Sequence, residues 1–285
     1  MGDKYSAVWV SHSSISDWLR CPQAYYLQNV YRDPKTNHKI RITRPSLSLG
    51  SAVHEVLEGI SVLPRDTRFD ESLIAKFENA WQKVSGKRGG FLDPESEYRY
   101  KMRGQEMLRR VMNHKEILSG PAVKIKEDLP HFWLSEEDNI ILCGKIDWLE
   151  YLPETDSVHI IDFKTGKSEE DPDSLQLPIY HLLVHNCQKR KVEKASYWYV
   201  ESSDELTEKI LPDLELSKEK VLAIARDIKV ARQLKRFKCP EGESCKFCQP
   251  LLNVTRGLCE WVGTDEYGSD IYIAPQAEEK ESIIL

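Results

Sequence analysis

One strand in the middle of the chain restricts the fold more than any other segment. Residues 157–164 read Ser-Val-His-Ile-Ile-Asp-Phe-Lys, and the apolar part has the pattern of a buried strand. Two ionisable groups, Asp162 and Lys164, then emerge where a buried sheet would normally continue. Being two apart on an extended chain, they project from the same face. A second acidic residue, Asp147 in Gly144-Lys-Ile-Asp-Trp148, precedes them on a neighbouring predicted strand. The strand therefore belongs to a sheet whose end is built for charge.

Upstream of residue 121 the hydrophobic period is helical. Residues 13–30 open with serines suited to an N-cap, followed by Ile15, Trp18 and Leu19 at helical spacing. Pro22 interrupts this helix and begins a second segment with Tyr25, Tyr26 and Val30. Over 48–60, Leu49, Ala52, Val53, Val56, Leu57 and Ile60 form one apolar stripe, and His54 lies off it, facing solvent or a cleft. Further helices are predicted over 71–84 and 97–118. From 121 the period becomes that of strands, predicted over 129–134, 139–151 and 157–164. A helix over 175–187 follows, then a strand over 195–201 with a partner near 207–211. A long helix is capped by Ser217 and runs to Phe237, and a hairpin turns through 265–269. The acidic tail, 275–285, is expected to be disordered.

The 285 residues suffice for one large domain or two small ones, and 40% hydrophobic with 30% charged residues exclude a disordered or collagen-like chain. No apolar run is long enough to span a bilayer, and no signal peptide is evident, so neither membrane insertion nor export is expected. The net charge of −6 argues against a protein coated by nucleic acid. A local basic groove is compatible with it. Residues 31–45 hold Arg32, Lys35, Lys39, Arg41 and Arg44 against the single acidic Asp33, with Lys39 and Arg41 alternating with Ile40 and Ile42. Such a run is either a solvated face or a phosphate contact. Arg232, Lys235, Arg236 and Lys238 near the end of the long helix either complement its dipole or form a basic wall.

Asp147 and Asp162 on adjacent strands can share one Mg²⁺ or Mn²⁺, hard cations that prefer oxygen ligands. Lys164 can orient a water or stabilise charge developing on a phosphate. Gln176 and Tyr180 are four apart on the following helix and share a face within reach of that strand end. His54 offers an imidazole. A strand end breaking into solvent explains Asp162 and Lys164 by themselves; the whole set suits metal-assisted phosphodiester hydrolysis.

Seven cysteines in a chain without an export signal fit metal binding better than disulfides. Cys143 and Cys187 sit in apolar surroundings and read as core. Cys239, Cys245 and Cys248 follow C-x5-C-x2-C in a Gly/Pro/Ser-rich loop. Zinc and iron-sulfur clusters both generally need four protein ligands. The fourth is either Cys259, completing a local zinc knuckle, or Cys21, stapling together the two ends of the chain.

In order along the chain, Ser14-x6-Cys21-Pro22-x2-Tyr25, Gly50-x3-His54, Gly144-x2-Asp147, Asp162-x-Lys164-Thr-Gly-Lys167 and Gln176-x3-Tyr180 closely resemble the RecB-like branch of the PD-(D/E)xK nucleases, over residues 10–250. The resemblance implies an α/β (α+β) fold with a restriction-endonuclease-like core, a mixed central sheet flanked by helices. It implies one nuclease domain over 1–265: a helical part at 10–120, a catalytic sheet at 121–211, and a helix with a cysteine-cluster cap at 216–262. His54, Asp147 and Asp162 then look like ligands of Mg²⁺ or Mn²⁺ and Lys164 like the catalytic lysine. Gln176 and Tyr180 look like the pair that organises the active site or binds DNA. Arg32, Lys39, Arg41, Arg44 and Tyr180 are the candidate DNA contacts. Members such as AddB, the CRISPR-adaptation nucleases and eukaryotic exonuclease V hold a 4Fe-4S cluster with one N-terminal and three C-terminal cysteines. Cys21 stands at the matching N-terminal position. Many relatives show C-x2-C with a longer gap to a last Cys, so the present spacing leaves Cys239 or Cys259 as the remaining ligand. Cys239 is favoured, because Cys259 precedes Glu260, Trp261 and Val262 and looks like part of a closing strand. The implied activity is metal-dependent cleavage of single-stranded DNA or DNA ends, in repair, recombination or CRISPR adaptation. A helicase or integrase-type partner and a cytoplasmic location, nucleoid-associated if the source is prokaryotic, go with it. The alternatives are a non-catalytic iron-sulfur DNA-binding partner and, for the cysteines, structural zinc using Cys259.

Overall fold

The structure, a computed structural model, describes residues 3–274; the tail expected to be disordered, 275–285, lies outside the described residues. In chain order the elements are β1 (Val8–Val10), α1 (His12–Arg20), α2 (Pro22–Tyr25), a π-helical turn (Tyr26–Val30), β2 (Lys39–Ile42), α3 (Pro45–Ser61), α4 (Leu73–Gln82) and α5 (Pro94–Asn113). There follow β3 (His131–Ser135), β4 (Ile140–Cys143), β5 (Trp148–Leu152), β6 (Ser157–Lys164), α6 (Gln176–Cys187), β7 (Val192–Tyr199), β8 (Thr207–Lys209), α7 (Leu214–Leu234), α8 (Gln249–Thr255), β9 (Glu260–Thr264) and β10 (Ser269–Ile273).

The central sheet has the order β5-β6-β7-β8 and is mixed: β6 runs parallel to β7 and antiparallel to β5, and β8 is antiparallel to β7. Alternation along β6 assigns its two faces. Ile161 and Phe163 join Trp148 and Trp198 against α3, α4 and α5, where Leu49, Val53, Phe77 and Met107 fill the largest core. Val158 and Ile160 pack on the opposite face with Leu177 and Val184 of α6. Full burial of a large apolar side chain contributes about 1.5–3 kcal/mol, so this two-sided packing fixes the register of β6. Asp162 and Lys164 continue the α6-facing row. The apolar stripe predicted on α3 is buried throughout, at Leu49, Ala52, Val53, Val56, Leu57 and Ile60.

Two smaller sheets flank the central one. The order β1-β4-β3 packs under α6 and α7, and β2-β10-β9 packs beside the cysteine loop.

The single strand predicted over 139–151 is in fact two, β4 and β5, in different sheets. The chain leaves β4 at Gly144, where an added Cβ would lie 2.9 Å from Leu183 Cδ1. A side chain there would push the tip of Leu183 on α6, and the detour that follows delivers Asp147 to the start of β5. The long helix starts earlier than predicted, because the Asp213 side chain accepts from Leu216 N (2.9 Å) and takes the cap position. Ser217 is buried inside the helix, which ends at Leu234, before Phe237, with Lys235 in the left-handed region (φ 52°). The helix predicted to reach residue 118 ends at Asn113 and tightens into a 3₁₀ turn over Lys115–Leu118. Cys143 is buried as expected, whereas Cys187 is only half-buried at the end of α6.

Candidate active site

Antiparallel pairing of Trp148 with Ile161 continues one residue outward to set Asp147 beside Asp162. Both carboxylates are buried. Asp147 Oδ2 accepts from Phe163 N (3.0 Å) and lies 3.4 Å from His54 Nδ1, which α3 presents from off its apolar stripe. Asp162 Oδ1 accepts from Gln176 Nε2 (2.9 Å), and the same amide donates to the Tyr180 hydroxyl (3.2 Å). The Lys164 ammonium donates to Gln176 Oε1. It also lies 2.9 Å from Asp162 Oδ2 and 2.8 Å from Glu170 Oε2. Asp162 Oδ2 is buried and its one polar neighbour among the described residues is this ionic contact with Lys164. The α3 helix also approaches closely at Gly50, where a Cβ would stand 3.2 Å from Thr165 Oγ1, just past Lys164.

The electrostatics describe a point of excess negative charge. Burial, and next the charge of Asp147, push the Asp162 pKa up to about 7, against the pull of Lys164. For His54, burial by itself would lower the pKa. The hydrogen bond and charge of Asp147, joined by Asp162 and Glu58, outweigh burial and raise it to about 9. A site that raises an acid and a histidine together is short of positive charge. The ligand atoms that converge to within 4.8 Å are those of His54, Glu58 and Asp147, a nitrogen and oxygen donor set that fits a hard divalent cation; Asp162 stands beside Asp147 but is not among the grouped residues.

Four neighbours escaped sequence reasoning. Glu58 lies one helical turn beyond His54, and its carboxylate groups with His54 and Asp147 to within 4.8 Å; the i, i+4 spacing was the available signal. Glu170 stands on the irregular connection between β6 and α6, where no periodicity marks a residue. Tyr197, on β7, places its ring 4.6 Å from Lys164 Nζ. His12, first residue of α1, lies within electrostatic range of Glu170 and Lys164; burial holds its pKa down to about 4.

The candidate DNA contacts divide. Lys39 shares a local positive field with Arg32, Arg41 and Arg232 of α7, and after burial these neighbours hold its pKa down. Arg32 also folds back onto the carbonyls of Val30 (3.2 Å) and Tyr31 (2.8 Å), and Arg41 lies 3.4 Å from Asp265. Arg44 stands exposed at the cap position that opens α3. Tyr180 belongs to the carboxylate–lysine cluster through Gln176.

At the far end of α1, Cys21 joins Cys239, Cys245 and Cys248, their Sγ atoms all within 4.8 Å of one another. Cys21 caps α2, its Sγ accepting from Ala24 N (3.4 Å), and Cys248 caps α8. Ala24, Leu27, Ile40, Leu251 and Val254 enclose the group. Cys259 is not part of it. The length of α8 separates it from Cys248, and its Sγ lies 3.9 Å from Pro250 O. Four converging thiols are the donor set of a soft-metal site, either zinc or an iron-sulfur cluster. At 1.5 Å per residue, α1 spans about 13 Å between His12, in electrostatic range of Glu170 and Lys164, and the cysteine group.

The sequence model of the PD-(D/E)XK nuclease superfamily matches residues 9–250, and the chain belongs to that superfamily. The observed arrangement, a mixed sheet flanked by helices with paired carboxylates and a lysine at one strand end, agrees with it. Among solved structures, one from Eubacterium rectale described as a "Putative exonuclease" is similar at 12% identity and a TM-score of 0.47, covering 85% of this chain and 87% of that one. No curated protein matches the chain significantly. Among the described residues, no helix is long and apolar enough to cross a membrane. The chain is thus a nuclease of a superfamily that uses divalent metal ions, and a nucleic acid, DNA, is the substrate its fold implies.

Proposed function

We propose that the chain is a Mg²⁺- or Mn²⁺-dependent deoxyribonuclease of the RecB-like branch, one nuclease domain over 1–265 acting on single-stranded DNA or DNA ends. The observation that carries this reading is the pair of buried carboxylates, Asp147 and Asp162, with His54 3.4 Å from Asp147 and Lys164 2.9 Å from Asp162. His54, Asp147 and Asp162 would hold the cation, which when bound supplies a Lewis acid and an activated water. Lys164 places the attacking water and balances charge developing on the phosphate. Gln176 bridges Asp162, Lys164 and Tyr180 and so fixes their mutual orientation. Cys21, Cys239, Cys245 and Cys248 would hold a 4Fe-4S cluster, a reading supported by their convergence and by the order of motifs along the chain. Work in repair, recombination or CRISPR adaptation, beside a helicase or integrase-type partner in the cytoplasm, follows from the same branch.

The deciding assay is cleavage of end-labelled single- and double-stranded DNA with Mg²⁺, Mn²⁺ or EDTA. Cleavage should require the metal and vanish in Asp162→Ala without loss of fold; full activity of that variant would refute the site.

A further inference from the structure

The lysine of the cluster has no donor to spare. An ammonium offers three donors and no acceptor, and Lys164 faces three oxygens, Gln176 Oε1, Asp162 Oδ2 at 2.9 Å and Glu170 Oε2 at 2.8 Å, with the Tyr197 ring also 4.6 Å away. An oxygen of a phosphodiester can reach Lys164 only by exchange with one of these neighbours. Asp162 is fixed within β6 and almost wholly buried. Gln176 is tied to Asp162 and Tyr180. Glu170 is different on three counts. It stands on the 165–175 connection and not on a regular element. Its side chain is 24% exposed, against 3% for Asp162. It also carries the same charge as the group that must arrive.

The connection is nevertheless built to hold that carboxylate in place. Glu170 N donates to the Tyr199 hydroxyl (3.2 Å), and Tyr199 is the residue paired with Lys164 across β6 and β7. The anchored backbone aims the side chain at the ammonium.

We propose that Glu170 holds on Lys164 the place that an anionic oxygen of the polynucleotide takes, and that DNA enters by displacing it. This rests on the reading of Lys164 as the residue that serves the scissile phosphate. Glu170 is then a positioning residue acting through Lys164. It keeps the ammonium neutralised and aligned in the free protein, and it sets the affinity threshold that a polyanion must exceed. An incoming phosphate both competes for Lys164 and repels the carboxylate, so the exchange is driven by charge.

Glu170→Gln keeps the shape and removes the charge, and Glu170→Ala removes the competitor altogether. Binding of fluorescein-labelled oligo(dT) in EDTA, where no cleavage occurs, should tighten about tenfold in both variants, the factor that ~1.4 kcal/mol of lost competition is worth. With Mn²⁺, KM for the oligonucleotide should fall by a similar factor. Unchanged binding, or a fall in kcat at constant KM, would overturn the proposal and make Glu170 a fixed part of the lysine's support. The binding arm does not depend on catalysis. Absence of metal-dependent cleavage by the wild type would refute the nuclease reading, while the binding comparison would still decide whether Glu170 competes with an anion.

Discussion

Replacing Asp162 by asparagine keeps the outline of the side chain and removes its charge, and it should make the metal-free protein more stable while abolishing cleavage. Burial and the neighbouring Asp147 raise the Asp162 pKa from 3.8 to about 7. A folded-state pKa above the unfolded value contributes stability that is complete below about pH 4 and is lost as pH rises through about 7. At 1.36 kcal/mol per unit, the ionised carboxylate therefore costs the fold on the order of 4 kcal/mol at pH 8. That figure is already net of the attraction of Lys164, 2.9 Å away. The variant should therefore gain up to about 4 kcal/mol at pH 8, or roughly 8–16 °C in Tm for a chain of this size. Thermal melting at pH 8 in EDTA should show the asparagine variant melting higher. At pH 4 to 5 the difference should shrink toward zero. Adding Mn²⁺ should raise the wild-type Tm and leave the variant unmoved. A variant that melts lower at pH 8, or that responds to Mn²⁺ as the wild type does, would refute both the like-charge strain and the cation site.

Cys245→Ala removes one of four converging thiols; protein purified without oxygen should lose iron and visible colour and at least about 3 kcal/mol of stability, since binding at a structural metal site is folding energy. Normal iron content in the variant would take Cys245 out of the ligand set, and an iron-free wild type holding zinc would replace the cluster. His12 is the acid-sensitive point of α1. Burial depresses its pKa from 6.5 to about 4, so its contribution is intact above pH 6.5 and is lost as pH falls toward 4, up to about 3 kcal/mol. His12→Gln should match the wild type at pH 7.5 and outlast it at pH 4.5, and parallel acid melting would contradict this. Lys39→Ala should flatten the log–log salt dependence of oligo(dT) binding by about 0.7, one phosphate contact on a single strand; an unchanged slope would take Lys39 off the DNA path.

Much of the site was legible because its members are close in sequence. Asp162 and Lys164 share a face by strand alternation, Gln176 and Tyr180 by helical spacing, and His54 is set apart by the stripe it does not belong to. The fold class was legible for the same reason, since the change from helical to strand period falls near residue 121. What stayed hidden lay in irregular segments. The detour at Gly144 was invisible because Ile140 to Leu152 alternate well enough for one strand, and it shows only in the pairing of β4 and β5 with different sheets. Glu170 had no pattern to give it away; its role comes from the Tyr199 hydroxyl that anchors its backbone.

The seven cysteines show the division most directly. The sequence determined that three thiols share one loop and that a fourth was needed, and it left two candidates for that place. Only the tertiary structure decided between them. Cys259 is near in sequence but lies beyond α8, whereas Cys21, more than two hundred residues away, is brought within 4.8 Å of the others. Spacing along a chain decides which side chains share a face, because local geometry is periodic. Which faces meet depends on the packing of α1, α2 and α8 around a common apolar shell, and that is a property of the whole fold.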